Sequence, residues 1–367
     1  MRKLLKLANK IVLSNYADLK EPYRLTYIVT YKCQLKCNMC SIWERSDMQE
    51  LSLSQIRRFF QKSNRFSWIN LSGGEMFLRK DIYDIIETIY KNCKNLYLLD
   101  FPTNGFNTDF IVDTIKRILP FKIPRLIVTV SLDGPPHVHD EVRGIPGSWD
   151  NAVKTFDSLR KLRSRNFNVF LGMTLQPSNA NMFMETVESV NKAIKGVGYD
   201  DFHINIIHYS DHYYGNTGGN NFRQKEALWK QLGSIMRLRK VSYLNAVGYL
   251  ERRYQDLSKT YLYTNKTPIL CQSLSASFFM GPVGDVYPCS IYNELIGNVK
   301  DYDYDIYKLW NTYSREKLRE EIRKGSCPQC WTPCEAYQSI LANILPINTI
   351  KARADKENSL NYENKII

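Results

Sequence analysis

From residue 24 onward the chain alternates between two hydrophobic rhythms. Short, nearly continuous apolar runs, rich in β-branched and aromatic residues, fall at 24–30, 66–71, 96–102, 126–132, 169–175 and 202–208. Such runs read as strands buried on both faces. Between them apolar residues recur every three to four positions, at 54–62, 82–92, 109–119, 151–162 and 182–194, the spacing of amphipathic helices. Strands separated by helices predict an α/β fold whose parallel sheet, linked by right-handed crossovers, rolls into a barrel or partial barrel.

The rhythm breaks after 209. A Gly/Asn-rich stretch, Tyr214-Gly215-Asn216-Thr217-Gly218-Gly219-Asn220-Asn221, leads into basic helical sequence over 223–257 that reads as a linker helix pair. At the other end, residues 1–20 alternate basic and apolar positions and place Leu4, Leu5, Ala8, Ile11, Val12 and Tyr16 on one helical face. Such a helix either packs against its own domain or lies on an anionic membrane surface. The expected organisation is an N-terminal amphipathic helix (1–21), a barrel core (22–209), a helical linker (210–266), a small cysteine-bearing domain (267–345) and a polar tail (346–367).

Composition narrows the setting. With 367 residues, 44% of them apolar, the chain suits a barrel-sized domain plus a smaller one. The N-terminus lacks the apolar core and small-residue cleavage site of a secretory signal, so the nine cysteines read as cytoplasmic thiolates available for metal rather than as disulfides. No apolar run approaches the roughly 18 residues of a membrane span. A net charge of +13 favours anionic partners without choosing among phosphorylated metabolites, acidic peptides, nucleic acid and lipid headgroups.

The chemistry is concentrated in cysteines. Cys33, Cys37 and Cys40 follow the first strand at C-x3-C-x2-C spacing. A four-iron cube takes one thiolate per iron, so three thiolates leave one iron open to a ligand. A structural zinc site would need a further thiol pair nearby, and none lies close in sequence. After the second strand come Ser72-Gly73-Gly74-Glu75, where a glycine pair lets backbone approach a ligand and Glu75 offers an acceptor to a cationic group. Further polar strand ends are Thr103-Asn104-Gly105, Ser131-Leu132-Asp133-Gly134 and 174–176. A second cysteine group comprises Cys271, Cys289, Cys327, Cys330 and Cys334, with Gly284 completing C-x12-G-x4-C. Cys93 stands alone and reads as a buried structural thiol.

Together these motifs resemble the radical S-adenosylmethionine (SAM) enzymes. The resemblance implies a partial (β/α)6 TIM-like barrel, a [4Fe-4S] cluster on Cys33, Cys37 and Cys40, and SAM held through its amino and carboxylate groups on the open iron. It also implies that Gly73, Gly74 and Glu75 meet the methionyl amino group and that Met39 contacts adenine. Asn104 would join the cofactor site, Ser131 and Asp133 would lie near the ribose or methionyl portion, and Arg143 would pair with the SAM carboxylate through its planar fork. The later cysteines resemble the SPASM/Twitch extension, a small α+β domain carrying auxiliary iron–sulfur clusters. They depart from its full pattern: the spacing is C-x2-C-x3-C and no cysteine follows Cys334. One auxiliary [4Fe-4S] cluster, with four ligands among the five thiols, is what this implies.

The expected reaction is reductive cleavage of SAM to a 5′-deoxyadenosyl radical that abstracts hydrogen from a substrate. The auxiliary cluster suits oxidation or cross-linking of that substrate, a peptide or small molecule for which the net charge favours an anion, between the barrel mouth and the second domain. A flavodoxin or ferredoxin would supply electrons. His203, Asn205, His208, Tyr209 and Asp211 offer a base or a hydrogen-bonding wall there. Two other readings stay open: a non-catalytic iron–sulfur electron carrier, and a basic zinc-binding nucleic-acid module. The second predicts colourless protein and salt-sensitive binding, and is disfavoured.

Overall fold

In a computed structural model, which describes residues 1–17, 19–45, 47–217, 225–238 and 246–344, each of the six apolar runs forms a strand. They are β1 (Arg24–Ile28), β2 (Trp68–Ser72), β3 (Leu98–Thr103), β4 (Arg125–Ser131), β5 (Phe167–Leu175) and β6 (Phe202–Ile206). Each pairs in parallel with the next. Helices α2 (Leu53–Lys62), α3 (Ile82–Asn92), α4 (Thr108–Ile118), α6 (Ser148–Arg160) and α7 (Phe183–Ala193) fill the crossovers. Helix α2 starts at a capping box in which Ser52 and Gln55 satisfy each other's backbone N–H groups. The outer helices and the sheet bury one continuous core through residues such as Ile56, Ile85, Ile111, Val128, Phe156 and Val187.

Three features differ from the sequence reading. A further helix, α5 (Pro136–Arg143), follows β4 where only a polar strand end was expected. The cysteine-bearing module also shares the barrel's sheet, a pairing the sequence reading did not address. Its strand β7 (Ser277–Met280) pairs in parallel with β1, and β8 (Asp285–Tyr287) and β9 (Gly297–Asn298) continue the same sheet antiparallel, in the order β6-β5-β4-β3-β2-β1-β7-β8-β9. Helices α8 (Lys225–Leu238), α9 (Ala246–Thr264), α10 (Ile306–Trp310), α11 (Tyr313–Lys324) and α12 (Pro333–Ala342) complete it, α8 and α9 standing where a helix pair was expected.

The third difference is α1 (Arg2–Tyr16). Of the six residues assigned to one apolar face, only Ile11 is buried; it packs with Leu7 on Tyr23, Ala276 and Ala342. Leu4, Leu5, Val12 and Tyr16 remain exposed.

The inner face of the sheet is polar. Along β4, Leu126, Val128 and Val130 are buried in the core while the alternate residues Ile127, Thr129 and Ser131 are partly exposed, and β6 repeats this with His203 and Asn205. Lower down, the buried Arg24 guanidinium lies 4.3 Å over the Trp68 ring. Asp100 accepts from Trp68 Nε1 at 2.7 Å and from Asn70. Burial raises the Asp100 carboxyl above its ordinary value, opposed by nearby Arg24.

Candidate active site

Residues 31–41 leave β1 and form an irregular loop over the barrel mouth. A loop of this kind has no ladder of its own, so its backbone groups must be satisfied by neighbours. The end of α5 accepts from it twice, Lys36 N to Arg143 O at 3.2 Å and Asn38 N to Val142 O at 2.9 Å. The segment after β6 holds the far side: Ser41 N donates to Tyr214 O at 2.8 Å. Asn216 Nδ2 donates to Met39 O (2.9 Å) and His208 O (3.0 Å), and its Oδ1 accepts from Ser210 N (2.9 Å). Arg45 donates to the carbonyls of Asp211 and His212.

The glycine pair closes the third side. A Cβ on Gly73 would lie 2.6 Å from Thr30 O, and one on Gly74 would strike Lys32 O and come within 2.7 Å of Tyr31 O. Backbone does approach closely here, but the backbone of the cysteine loop itself, where a ligand was expected. Gly144, in a left-handed conformation (φ 72°), does the same from α5: its Cβ would stand 2.5 Å from Lys36 O.

Within this clamp Cys33, Cys37 and Cys40 are partly exposed. Burial, opposed by backbone N–H donors, pushes the Cys33 thiol up to about 12 and Cys40 up to about 11. Neighbouring side chains aim donors at sulfur, Arg143 Nη1 at Cys37 Sγ (3.8 Å) and Asn104 Nδ2 at Cys33 Sγ (4.0 Å).

The strand ends form one connected network below the loop. Glu75 turns its carboxylate inward to accept from Phe77 N (3.2 Å), Thr103 Oγ1 (3.0 Å) and Asn104 N (2.7 Å), lashing β2 to β3. Burial outweighs these donors and raises its pKa to about 7. Asn104 Oδ1 accepts from Gln34 Nε2 (3.2 Å) and Phe106 N (3.0 Å). The Arg143 guanidinium, opposed by burial, is held firmly charged by Asp133, whose Oδ2 lies 2.6 Å away, and by the Cys37 sulfur. Asp133 also accepts from Thr174 N at 2.8 Å, and its own N–H donates to His139 Nδ1 at 3.0 Å. That bond leaves His139 an acceptor, and burial depresses its pKa to about 2. Ser131 is partly exposed at the end of β4, and Met39 enters through its carbonyl.

The second group of thiols gathers between β7, β8 and α12. Cys271 and Cys289 accept backbone N–H donors, Ser273 N at 3.5 Å on the first, Ile291 N (3.5 Å) and Tyr292 N (3.3 Å) on the second. Gln329 Nε2 reaches Cys327 Sγ at 3.4 Å. Cys289 is hydrogen-bonded to Cys330, which with burial raises it well above the ordinary thiol range; burial raises Cys271 likewise. Cys334, at the start of α12, is partly exposed and turned elsewhere: burial raises it to about 12, and its charged neighbours include Arg24, Glu335 and Asp100. Cys93 is buried beside Phe66, apart from both groups.

Among the described residues no three His, Cys, Asp or Glu side chains converge as a single metal ion would require. Thiols bound to separate irons of one cube need not converge, and N–H donors aimed at sulfur are what cluster thiolates accept. The residues therefore fit iron–sulfur clusters at both places.

Residues 27–190 match the radical SAM superfamily and residues 271–334 match an iron–sulfur cluster-binding domain, SPASM. The chain is a radical SAM enzyme with a C-terminal SPASM domain. Among curated relatives of this radical SAM enzyme, the Bacillus subtilis antilisterial bacteriocin subtilosin biosynthesis protein AlbA is 22% identical, covering 87% of this chain and 68% of the relative. The Methanosarcina barkeri AdoMet-dependent heme synthase is 23% identical over 84% of this chain and 88% of its own. The fold matches Streptococcus suis SuiB, solved bound to its precursor peptide SuiA, with a TM-score of 0.56 at 14% identity, covering 87% of this chain and 70% of SuiB.

The radical SAM loop depends on residues the sequence reading passed over. Tyr214, Asn216 and Arg45 hold it, and Tyr213 shares a buried hydrogen bond with Ser72 Oγ at 3.0 Å. Tyr213 and Tyr214 rings, 4.5 Å apart, stand between the two thiol groups: Tyr213 packs with the set containing Cys33 and Cys40, and Tyr214 also with Cys289 and Cys330. The one signal was the place of Tyr214 and Asn216 in a Gly/Asn-rich stretch, a composition that marks a turn but names no partner. His208, offered as a base, is instead fixed: Nδ1 contacts Ile206 O at 2.8 Å, Nε2 accepts from Trp331 N at 3.0 Å, and burial lowers its pKa to about 4. His203 stacks on Phe170 at 4.0 Å, and Asp211 serves the loop through its carbonyl.

Proposed function

We propose that this enzyme modifies a peptide, oxidising or cross-linking it at a C–H bond presented in the polar interior of the barrel. The observation that carries the reading is the placement of two thiol centres on one continuous sheet whose strands also carry the polar residues Asn70, Asp100, Thr129, Ser131 and Asn205. A peptide presents amide donors and acceptors along its length, and these alternating hydrogen-bonding side chains suit such a chain better than an apolar wall would. The likeness to the subtilosin biosynthesis protein and the fold shared with SuiB support it.

With a [4Fe-4S] cluster and SAM bound, the centre supplies a 5′-deoxyadenosyl radical able to take hydrogen from an unactivated carbon. Cys33, Cys37 and Cys40 hold the cluster. Arg143, kept charged and oriented by Asp133, would pair with the carboxylate of SAM. The backbone around Gly73 and Gly74, fixed by the Glu75 network, would receive its amino group, with Asn104, Ser131 and Met39 completing the cofactor site. Cys271, Cys289, Cys327 and Cys330, the thiols with aimed donors or a mutual bond, are the auxiliary ligands. Cys334, turned elsewhere, is not among them. Electrons come from a flavodoxin or ferredoxin in the cytoplasm.

A second reading, modification of a tetrapyrrole, is favoured by one observation: the chain spans more of the heme synthase than of the bacteriocin protein. The experiment is anaerobic turnover of iron-loaded enzyme with SAM and dithionite, offered a precursor peptide encoded beside its gene or a porphyrin carboxylate. Peptide-dependent 5′-deoxyadenosine with a peptide mass loss of hydrogen supports the first reading. Turnover stimulated only by the porphyrin refutes it.

A further inference from the structure

Helix α1 carries two apolar stripes, and the fold uses one. Leu7, Ile11 and Ser14 face inward onto Tyr23, Ala276 and Ala342, at the ends where β1 and β7 begin. About a third of a turn away Met1, Leu5, Ala8, Val12 and Tyr16, spaced by four, three, four and four residues, form a second stripe that points outward, with Leu4 at its edge. Leu5 is 62% exposed, Tyr16 49%, Leu4 45% and Val12 44%. Scattered exposed leucines are ordinary, but a stripe running the length of a helix is not.

The charge around this stripe has one sign. Arg2–Tyr16 contains no acidic residue. Arg2 and Lys6 are exposed on its flank, Lys6 reaching across to Asn95 at 2.9 Å. Lys10 is the one cation of the helix with an acidic partner, Glu21 at 3.0 Å, among the described residues. Lys3 sits near Lys94, and burial together with that second cation lowers its pKa.

We propose that α1 docks the enzyme on an anionic lipid surface, the outward stripe entering the headgroup boundary while Arg2 and Lys6 on its flank meet lipid phosphates. An apolar face bordered by lysine and arginine, without acids, is the pattern of a helix lying in the plane of a bilayer. The net charge of +13 adds a long-range pull toward the same surface. No helix among the described residues is long and apolar enough to cross a membrane, so the contact is peripheral. Docking in this pose places the ends where the strands begin against the lipid and turns the loop 33–40, at their other ends, away from it.

Sedimentation of the full-length, cluster-loaded enzyme with vesicles tests this. Binding is expected to vesicles of equal parts phosphatidylglycerol and phosphatidylcholine, and to be weak on phosphatidylcholine alone. Leu5→Asp with Val12→Asp should weaken binding by roughly tenfold or more, and Lys6→Gln by about fivefold. Both substitutions fall at exposed positions, and unchanged thermal unfolding of each variant confirms that it folds. Equal binding to both vesicle types, or variants that bind like the parent, overturns the proposal. A dimer in solution that Leu5→Asp dissociates, without vesicle binding by the parent, overturns it in favour of a second copy as the occupant.

Discussion

The loop 33–40 and the thiols of the SPASM domain both gather cysteines, yet they are held by different means. The first is gripped from outside: backbone bonds to α5 and to Tyr214, the side-chain amide of Asn216, and glycines pressed against its carbonyls hold it and leave its sulfurs partly exposed. The second leans more on its own interior: Cys289 and Cys330 are buried and bonded to each other, and N–H groups are aimed at Cys271, Cys289 and Cys327, while Cys271, Cys327 and Cys334 stay partly exposed like the loop's thiols. A centre that must admit a ligand cannot draw its rigidity from burial, so its surroundings supply it. Loading either centre displaces protons from raised thiols, so assembly should be favoured by alkaline conditions.

Separate removal of each centre should break the comparison most sharply. Cys33→Ala with Cys37→Ala and Cys40→Ala should reduce 5′-deoxyadenosine formation to background. Cys271→Ala with Cys289→Ala should retain uncoupled cleavage of SAM while losing product, and iron content should fall by about half in either case. Chromatography of the nucleoside and iron analysis read both.

A smaller change should act on one centre alone. Gly74→Ala forces a methyl group into the carbonyls of Tyr31 and Lys32, a strain of about 1–3 kcal/mol or more. We expect an enzyme that keeps the auxiliary cluster and loses the first, seen as partial visible absorption and a simplified electron paramagnetic resonance spectrum. Asn216→Ala should be milder. It removes three hydrogen bonds, two of them to carbonyls at the loop and after β6, and should weaken SAM binding by roughly tenfold, as a loss of about 1–2 kcal/mol implies.

The smallest effect concerns pH. His139 is neutral in the fold, its pKa depressed to about 2, whereas in the unfolded chain it titrates near ~6.5. Below that value the unfolded state takes up a proton that the folded state does not, so the contribution of His139 is complete above it and is lost as pH falls. His139→Asn keeps an acceptor for Asp133 N without titrating. Between about pH 7 and about pH 5.5 the wild type should lose about 1 kcal/mol more than the variant, measured by denaturant unfolding of the cluster-free protein.

Much of the barrel was legible because runs rich in β-branched and aromatic residues mark strands directly in the sequence, and all six strands stand where the runs are, although only β1 and β2 are buried on both faces and β3 to β6 alternate. Helix α5 was not, since its eight residues, Pro-His-Val-His-Asp-Glu-Val-Arg, offer only two aliphatic positions. The pairing of β7 with β1 joins residues about 250 apart, and four residues of strand carry no mark of their partner. At the site, cysteine spacing announced its chemistry, because ligand geometry constrains sequence separation. The glycines announced a close approach but not its partner, and Asn216 announced nothing: an amide that bonds three backbone groups looks, in sequence, like any polar loop residue.

The continuity of the sheet through β1 and β7 also acts as a ruler. Neighbouring hydrogen-bonded strands are fixed about 4.8 Å apart, so the interval between the two thiol centres is set by adjacent strands rather than by the helical connection over residues 225–264. Insertions or deletions in that connection can vary from one relative to another without changing the distance an electron must travel, which frees the connection to diversify for substrate while the electronic geometry stays constant.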